Sequence, residues 1–281
     1  MPLICFASPK GGVGKTTLSA NVADMLRRQG RTALALDLDP QNSLRLHFGV
    51  PVGDLSGFNA QLLRRPDWRS CLRQAASGTL LLPHGAMELR DALEYGVALE
   101  RDPGLLATPL REMLADPRVV VVADMPPGPS QALAILMPMA ALVVTVLQSE
   151  AISAAMLAEI EAGRFLGNGT MAALFAGRLQ FALNGVDMAS RLSRTAAEAV
   201  ARHLGSRLLG AVSRDDAFAE ALTGQCLVAD AAPASRAAED IRQLARAIDA
   251  LLPPLPAAVT MPPPAPPRAV MPWTAPEWGT R

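Results

Sequence analysis

The sequence predicts an α/β fold, in which a doubly wound, mostly parallel sheet carries helices on both faces. Short apolar runs rich in Val, Leu and Ile alternate along the chain with longer Ala-, Leu- and Arg-rich stretches of helical period. Within the short runs the apolar residues are continuous, which is typical of parallel strands that are buried on both faces. Strands that alternate with helices in this way indicate a layered α/β architecture.

The individual elements follow in chain order from the same pattern. The predicted strands are Leu3–Ser8, Thr32–Asp37, Thr79–Leu82, Val119–Asp124, Leu142–Leu147, Gly177–Leu183 and Arg207–Val212. The predicted helices are Thr16–Gln29, Met87–Glu100, Ala151–Phe165, Ser190–Leu204 and Ser235–Leu252. The first helix is expected to stop at Gly30, because glycine commonly follows the last helical residue.

Composition argues against several classes of protein. The chain has 26 basic and 26 acidic residues and no lysine-rich run, which argues against non-specific DNA binding as its main activity. Its three cysteines are widely separated, so we expect a reducing compartment. The longest apolar run, Ala132–Leu147, is short for a membrane span and contains Pro138. With no secretory signal at the N-terminus, the sequence predicts a soluble, cytoplasmic protein.

The composition changes abruptly at Pro253. The last 29 residues contain 10 of the 24 prolines and two of the three tryptophans. We therefore expect a folded domain over residues 1–252 and an extended or disordered Pro/Trp-rich tail over residues 253–281. The segment Pro272–Trp278 is compatible with a short motif that docks on a partner or folds back onto the domain, and equally with a passive tail.

Only two of the 26 basic residues are lysines, Lys10 and Lys15, and both lie in one glycine-rich loop between the first strand and the first helix. Lysine is a compact point charge whereas arginine is a wide planar fork, so a narrow phosphate-binding loop accepts lysine more readily. The loop matches the phosphate-binding pattern of P-loop proteins, except that Pro9 stands in place of the first glycine.

This loop predicts a site for a nucleotide and Mg²⁺. Its glycines allow backbone N–H groups to face phosphate oxygens, and the following helix adds its positive end. Lys15 is expected to reach the β- and γ-phosphates, the Thr16 hydroxyl to bind Mg²⁺, and Thr17 to bond the α-phosphate. The residues expected to bind the nucleotide here are Gly11, Gly12, Val13, Gly14, Lys15, Thr16 and Thr17.

Carboxylates at the ends of two predicted strands complete this site. Asp39, just after the second strand, is placed to orient or deprotonate an attacking water. Asp37 is expected to hold Mg²⁺ through water or to brace the loop. Helix capping before Gln41–Phe48 is the purely structural alternative for these two residues. Asp124 ends the apolar run of a Walker B pattern, and its carboxylate is expected to contact the ligands of Mg²⁺ rather than the ion itself. With Thr16, these three carboxylates form the expected metal-binding set.

The sequence Lys10–Thr17 resembles the deviant Walker A motif of the MinD/ParA superfamily. In that superfamily the first lysine reaches across an ATP-bridged dimer, so the resemblance implies a catalytic role for Lys10 and a face-to-face homodimer with two ATP molecules. Leu36–Gln41 is similar to the family's switch I, and Met125–Gly128 resembles switch II, in which the Gly128 N–H is expected to sense the γ-phosphate. Asn184 matches the residue that reads adenine in relatives, although a turn before Gly185 is an alternative.

Other stretches narrow the resemblance. The switch-like regions contain no cysteines, which argues against the nitrogenase iron protein branch and its iron–sulfur cluster. Tyr95 is the only tyrosine, whereas bacterial tyrosine kinases with a similar loop need a tyrosine cluster. The chain ends in a neutral Pro/Trp tail, whereas MinD-like proteins end in a basic amphipathic helix. The stretches Asn42–Val50 and Arg214–Leu222, with their order and spacing, resemble the BcsQ family of bacterial cellulose-secretion operons.

The BcsQ resemblance implies a slow, dimerisation-coupled ATP hydrolase that supports the inner-membrane cellulose synthase complex. It also implies a small BcsR-type companion and only indirect recruitment to the membrane or cell pole. The alternatives are a ParA-like partitioning ATPase on DNA and a non-hydrolysing adaptor that keeps ATP bound.

Overall fold

The computed structural model describes residues 2–150 and 176–254, together with Ser153, Ala155 and Leu157. The strands are β1 (Leu3–Ala7), β2 (Thr32–Asp37), β3 (Arg73–Gln74), β4 (Leu80–Leu82), β5 (Val119–Asp124), β6 (Leu142–Gln148), β7 (Leu179–Val186) and β8 (Leu208–Ser213). The α-helices are α1 (Lys15–Arg28), α2 (Leu89–Arg101), α3 (Gly104–Met113), α4 (Gln131–Leu136), α5 (Arg191–Leu204), α6 (Ala217–Thr223), α7 (Val228–Ala231) and α8 (Arg236–Asp249).

These strands form one sheet in the order β3-β4-β2-β5-β1-β6-β7-β8. Every pairing is parallel except the antiparallel pair of β3 and β4. The order reverses direction around β1, so the carboxyl ends of β1, β2, β5 and β6 meet at one edge of the sheet. Doubly wound sheets bind ligands in the crevice at such a switch point. The predicted fold class is therefore confirmed.

Helices cover both faces of the sheet because each face carries its own apolar cluster. One cluster joins the sheet to α2, α3, α4 and α5, through residues such as Leu106 and Val200. The other joins the opposite face to α1, α6, α7 and α8, through residues such as Leu18 and Ile241. The central strands are buried on both faces, which explains their continuous apolar sequences.

The predicted elements did not include strand β3 or helices α3, α4, α6 and α7. Strand β3 has only two residues, Arg73 and Gln74, and no apolar run to reveal it. Helix α3 contains Pro109, which in a sequence reads as a helix breaker. Of the predicted helix Ala151–Phe165 only Ser153, Ala155 and Leu157 are described, and all three are helical; its other residues and most of the predicted tail 253–281 lie outside the described residues.

Asp215 explains part of the conspicuous stretch Arg214–Leu222. Its carboxylate accepts hydrogen bonds from the backbone N–H groups of Ala217 (3.0 Å) and Ala237 (3.0 Å). A single side chain thus satisfies free donors at the first turns of both α6 and α8.

At the other end of α8, Arg31 pairs with Asp249 and donates to the Pro253 carbonyl at 3.0 Å. These contacts fix the last described turn at the amino-terminal edge of the sheet.

Candidate nucleotide-binding site

The glycine-rich loop lies between β1 and α1, at the edge where the strands have their carboxyl ends. Gly12 and Gly14 adopt left-handed backbone angles, with φ of 77° and 84°. Because side chains strain this conformation, glycine suits both positions. Helix α1 begins at Lys15, directly after the loop, so its free N–H groups face the same space.

A cavity of about 340 Å³ lies in front of this loop. This volume falls at the lower end of the usual range for small-molecule sites, about 300–1,000 Å³. The lining residues are Ser8, Gly11, Gly12, Val13, Gly14, Lys15, Thr16, Asp39, Gln41, Ser43 and Pro127. Most of the predicted loop therefore faces one cavity. Thr17 is half-buried in the first turn of α1, behind the lining, and its carbonyl accepts from Asn21 at 2.8 Å.

Lys15 is the buried cation of the site. Its side chain is 6% exposed, and its Nζ donates to Asp124 Oδ1 at 2.8 Å and to Asp39 Oδ2 at 3.5 Å. The Thr16 hydroxyl donates to the other oxygen of Asp124 at 2.7 Å. The structure thus brings together four residues that lie up to 109 positions apart in the sequence.

Asp37 has both carboxylate oxygens occupied by the loop that follows it. It accepts from the backbone N–H of Asp39 at 3.1 Å and of Leu44 at 3.2 Å. Burial, and next the charge of Asp124, raise the pKa of the Asp37 carboxyl well above its usual range. This geometry corresponds to the loop-bracing role that the sequence left open, while metal binding by Asp37 stays a prediction.

The carboxylates give the site an excess of negative charge. Asp37 and Asp124 are fully buried and Asp39 is nearly so, whereas Lys15 is the cation that contacts Asp39 and Asp124. Burial raises the pKa of Asp124 above its ordinary value, against the opposing effects of Lys15 and Thr16. Oxygen ligands of this kind are those that Mg²⁺ prefers. The donor set and its charge therefore fit a divalent cation.

Asn184 lies behind the loop and does not line the cavity. It lies within β7, opposite Gln148 of β6, so the predicted end of this strand at Leu183 was wrong. Its amide Nδ2 donates to the Val13 carbonyl at 2.8 Å. In this position the side chain supports the loop from below, and reading of adenine by Asn184 stays a prediction.

Lys10 has a partner that the sequence did not reveal. Its Nζ lies 2.8 Å from Glu150 Oε2, and both side chains are partly exposed, at 37% and 46%. Glu150 follows β6 at the same edge of the sheet, but the 140 positions between the two residues hide the pair from any local pattern. Lys10 thus lies at the rim of the site, whereas Lys15 lies at its base.

The segment after β5 contacts the loop from the other side. Pro127 lines the cavity, and Gly128 adopts a φ of 72°. The Gly128 N–H donates to the Ser8 carbonyl at 2.8 Å. Any contact between this N–H and a phosphate requires that the bond to Ser8 be given up.

The sequence model of the family described as "Cellulose biosynthesis protein BcsQ" matches residues 1–248. The chain belongs to the BcsQ family. A BcsQ protein of Salmonella typhi is 30% identical over 131 residues, which cover 46% of this chain and 52% of that relative. The virulence plasmid ParA family protein pGP5-D of Chlamydia psittaci is 30% identical over 133 residues, or 46% of this chain and 49% of the relative. The chain thus spans about half the length of these relatives.

Solved structures of MinD proteins share the fold. The cell division ATPase MinD of Pyrococcus furiosus superposes with a TM-score of 0.70 at 23% identity, over 89% of this chain and 99% of that one. The septum site-determining protein MinD of Pyrococcus horikoshii, complexed with Mg-ADP, gives 0.69 at 21% identity over 89% and 96%. The solved MinD structures thus share the fold of this chain, and the predicted resemblance to the BcsQ family is confirmed by the family model.

Two further properties bear on the site and its surroundings. Over residues 2–150 and 176–254, no group of three or more His, Cys, Asp or Glu side chains is arranged to hold a metal ion by itself, so Asp37, Asp39 and Asp124 do not form a complete ligand set, and Mg²⁺ would also need the Thr16 hydroxyl and oxygens of a nucleotide. In the same part of the chain, no helix has the length and hydrophobicity that a bilayer crossing requires.

Proposed function

We propose that this chain is a Mg²⁺-dependent ATP hydrolase that dimerises around ATP and supports the bacterial cellulose synthase complex. The observation that carries the proposal is the convergence of Lys15 and Thr16 on Asp124 beneath the glycine-rich loop, in a chain whose first 248 residues match the BcsQ family. ATP with Mg²⁺ supplies the phosphoryl group and the charge that complements the loop and the carboxylates.

The residues of the chain have separate tasks in this proposal. The N–H groups of the loop and of the first turn of α1 hold phosphate oxygens. Lys15 moves its ammonium group from Asp124 towards the β- and γ-phosphates, which frees Asp124. The Thr16 hydroxyl would hold Mg²⁺, and Asp124 would hold the ligands of the ion in place. Asp39 lines the cavity and orients the attacking water.

Dimerisation is proposed from the rim of the site. Lys10 is partly exposed there, so exchange of Glu150 for a phosphate of a second copy needs no rearrangement of the core. Exposed apolar side chains also follow the carboxyl ends of β2, β4 and β7. They are Val52 (67% exposed), Leu55 (53%), Leu89 (76%), Met188 (59%) and Leu192 (66%). Where such side chains form one contiguous patch, the patch is typical of an interaction surface.

Two lysine variants test the nucleotide site as a matched pair, because both residues lie in one loop and receive the same substitution. Lys15→Ala is expected to abolish ATP binding in calorimetry, whereas Lys10→Ala is expected to keep it. Both proteins should retain the circular dichroism spectrum of the native chain. Retained ATP affinity in folded Lys15→Ala would contradict the phosphate-binding role.

A second candidate function is a ParA-like partitioning ATPase that binds DNA, which the match to pGP5-D favours. The two candidates separate in a pull-down with ATP and Asp39→Ala, which is expected to bind ATP without hydrolysing it. Recovery of cellulose synthase subunits and a BcsR-type companion supports the first candidate. Recovery of DNA, with affinity that falls steeply as salt rises, supports the second. Lys15→Ala is the control, because an ATP-dependent partner should not accompany it.

A non-hydrolysing adaptor is the third candidate and differs in turnover alone. Phosphate release that is present in the native chain and lost in Asp39→Ala supports hydrolysis. ATP that stays bound and intact through repeated washing supports the adaptor instead.

A further inference from the structure

A groove with an aromatic wall lies away from the nucleotide site and shares no lining residue with it. It consists of two adjoining cavities, of about 420 Å³ and about 230 Å³, which share Trp68, Arg69 and Glu112. We call it the Trp68 groove. The larger cavity is also lined by residues of α3, including Leu105 and Thr108. The smaller one is also lined by Leu72, Leu80 and Val119.

The floor of the Trp68 groove is apolar and only partly covered. Trp68, Leu72, Leu80, Leu105 and Val119 pack against the main core, yet each keeps part of its surface exposed.

The walls hold Trp68 in one orientation. Its indole Nε1 donates to Glu112 at 3.3 Å, and the guanidinium carbon of Arg69 lies 4.4 Å from the centre of its ring. Grooves with aromatic walls are the usual docking sites for proline-rich segments.

The position of the groove matches the place where the described chain ends. The smaller cavity includes Val119, the first residue of β5, which pairs with Thr32 at the start of β2. The preceding residue, Arg31, donates to the carbonyl of Pro253. Residues 255–281, which contain Trp273 and Trp278, therefore depart from the same edge of the sheet that the groove reaches.

The length of the tail favours these residues as the occupant. About 19 residues separate Pro254 from Trp273, and at about 3.1 Å per extended residue they span roughly 60 Å. That is several times the radius of gyration of about 18 Å expected for a domain of this size. Glu277 lies between the two tail tryptophans. At the rim of the groove, the exposed side chains of Arg65 and Arg69 pair with Asp102, Asp67 and Glu112, so Glu277 would have to replace one of these carboxylates to contact an arginine.

We propose that the Trp68 groove binds the Pro272–Trp278 segment of the same chain. Tethering gives such a segment an effective concentration in the millimolar range, so an intrinsic affinity of about 1 mM is enough for roughly half occupancy. The groove reaches the edge with the strand amino ends, whereas the phosphate loop lies at the edge with the carboxyl ends. Docking of the segment therefore leaves the nucleotide cavity open, and the inference does not rest on the proposed function.

The test uses the full chain labelled with 5-fluorotryptophan and observed by fluorine NMR. The three tryptophans give three resonances, which Trp273→Phe and Trp278→Phe assign. A labelled synthetic peptide of residues 262–281 marks the positions of the free segment. In the native chain both tail resonances are expected to be shifted and broadened relative to the peptide. Tenfold dilution should leave them unchanged, because the docking is intramolecular.

Two variants locate the binding site. Thr108→Arg fills the groove from an exposed position on α3, and it should return both tail resonances to their peptide positions. Thr195→Arg is the matched control, the same substitution at an exposed position on α5, and it should leave them shifted. Glu277→Arg lies outside the folded domain, so it tests the charge pairing even if Thr108→Arg fails to fold. It should move both resonances towards the peptide positions.

Three results would overturn the proposal. Tail resonances of the native chain at the peptide positions would show that the segment is free. Shifted resonances that ignore both Thr108→Arg and Glu277→Arg would show that it binds elsewhere. Shifts that vanish on dilution would show that it binds a second copy of the chain.

Discussion

Gly14 should tolerate alanine much less well than its neighbour Gly12, although both have nearly the same backbone conformation. An alanine at either position is strained by its positive φ of 84° or 77°, at a cost of about 1–2 kcal/mol. A Cβ on Gly12 meets nothing within 4 Å, whereas one on Gly14 lies 2.2 Å from the amide nitrogen of Asn184. Only at Gly14 must a second side chain move.

The structure sets the size of the difference. To clear the new methyl group, Asn184 must give up its hydrogen bond to the Val13 carbonyl, which costs about 1 kcal/mol, and more if the carbonyl stays buried without a partner. We expect Gly12→Ala to lower the free energy of unfolding by about 1–2 kcal/mol and Gly14→Ala by about 1–3 kcal/mol more. In an Asn184→Ala background the clash is absent, so the two glycine variants should cost nearly the same.

The assay is urea unfolding of the chain without nucleotide, for both glycine variants in both backgrounds. The four variants and their two parents form two double-mutant cycles, and in one of them the coupling between Gly14 and Asn184 should exceed about 1 kcal/mol. The coupling between Gly12 and Asn184 should be near zero. Equal losses for Gly12→Ala and Gly14→Ala, or a Gly14→Ala loss that Asn184→Ala does not relieve, would refute this view of the loop.

Three other predictions concern pH and the tail. Burial lowers the pKa of His47 to about 4. Between about pH 6.5 and pH 4 the unfolded chain therefore binds a proton at His47 that the folded chain does not, so the free energy of unfolding decreases as the pH is lowered. In denaturant titrations at pH 4, the loss of unfolding free energy should be about 3 kcal/mol smaller for His47→Gln than for the native chain. The same dependence of stability on pH in both proteins would contradict this prediction. Burial raises the pKa of Asp24, but hydrogen bonds from Arg28, Arg27 and Thr79 lower it overall. Asp24→Asn should therefore cost about 1–3 kcal/mol at pH 7, and this difference should vanish as the pH falls below about 4; a constant difference would exclude the ion pairs as its source. Removal of residues 255–281 should leave ATP turnover unchanged in a phosphate-release assay, and an inactive but folded truncation would show that the tail takes part in the site.

The sequence predicted the parts of this protein that local patterns encode. Continuous apolar runs revealed the central strands because their burial on both faces leaves no polar positions, and the glycines near Lys15 revealed the loop because few other residues adopt its backbone angles. The strand ends at Asp37 and Asp124 placed both carboxylates at one edge of the sheet, where they lie.

Other features depend on contacts that no local pattern records. Lys10 and Glu150 meet because β1 and β6 are neighbours in the sheet, although they are far apart in the chain. Asn184 was placed after its strand because Asn-Gly pairs favour turns, but pairing with β6 extends β7 through Val186. Helix α3 keeps Pro109 because packing of Leu106 and Leu110 outweighs the lost backbone hydrogen bond.

The most direct test of the shared ATP site is the mass of the protein in solution. Asp39→Ala and the double variant Asp39→Ala/Lys10→Ala should be compared by light scattering with ATP and Mg²⁺. The single variant is expected to have twice the 29.6 kDa mass of the chain, because ATP is held but not hydrolysed. The double variant should bind ATP and remain a monomer. A dimer without Lys10, or a monomer in both cases with ATP bound, would contradict the account.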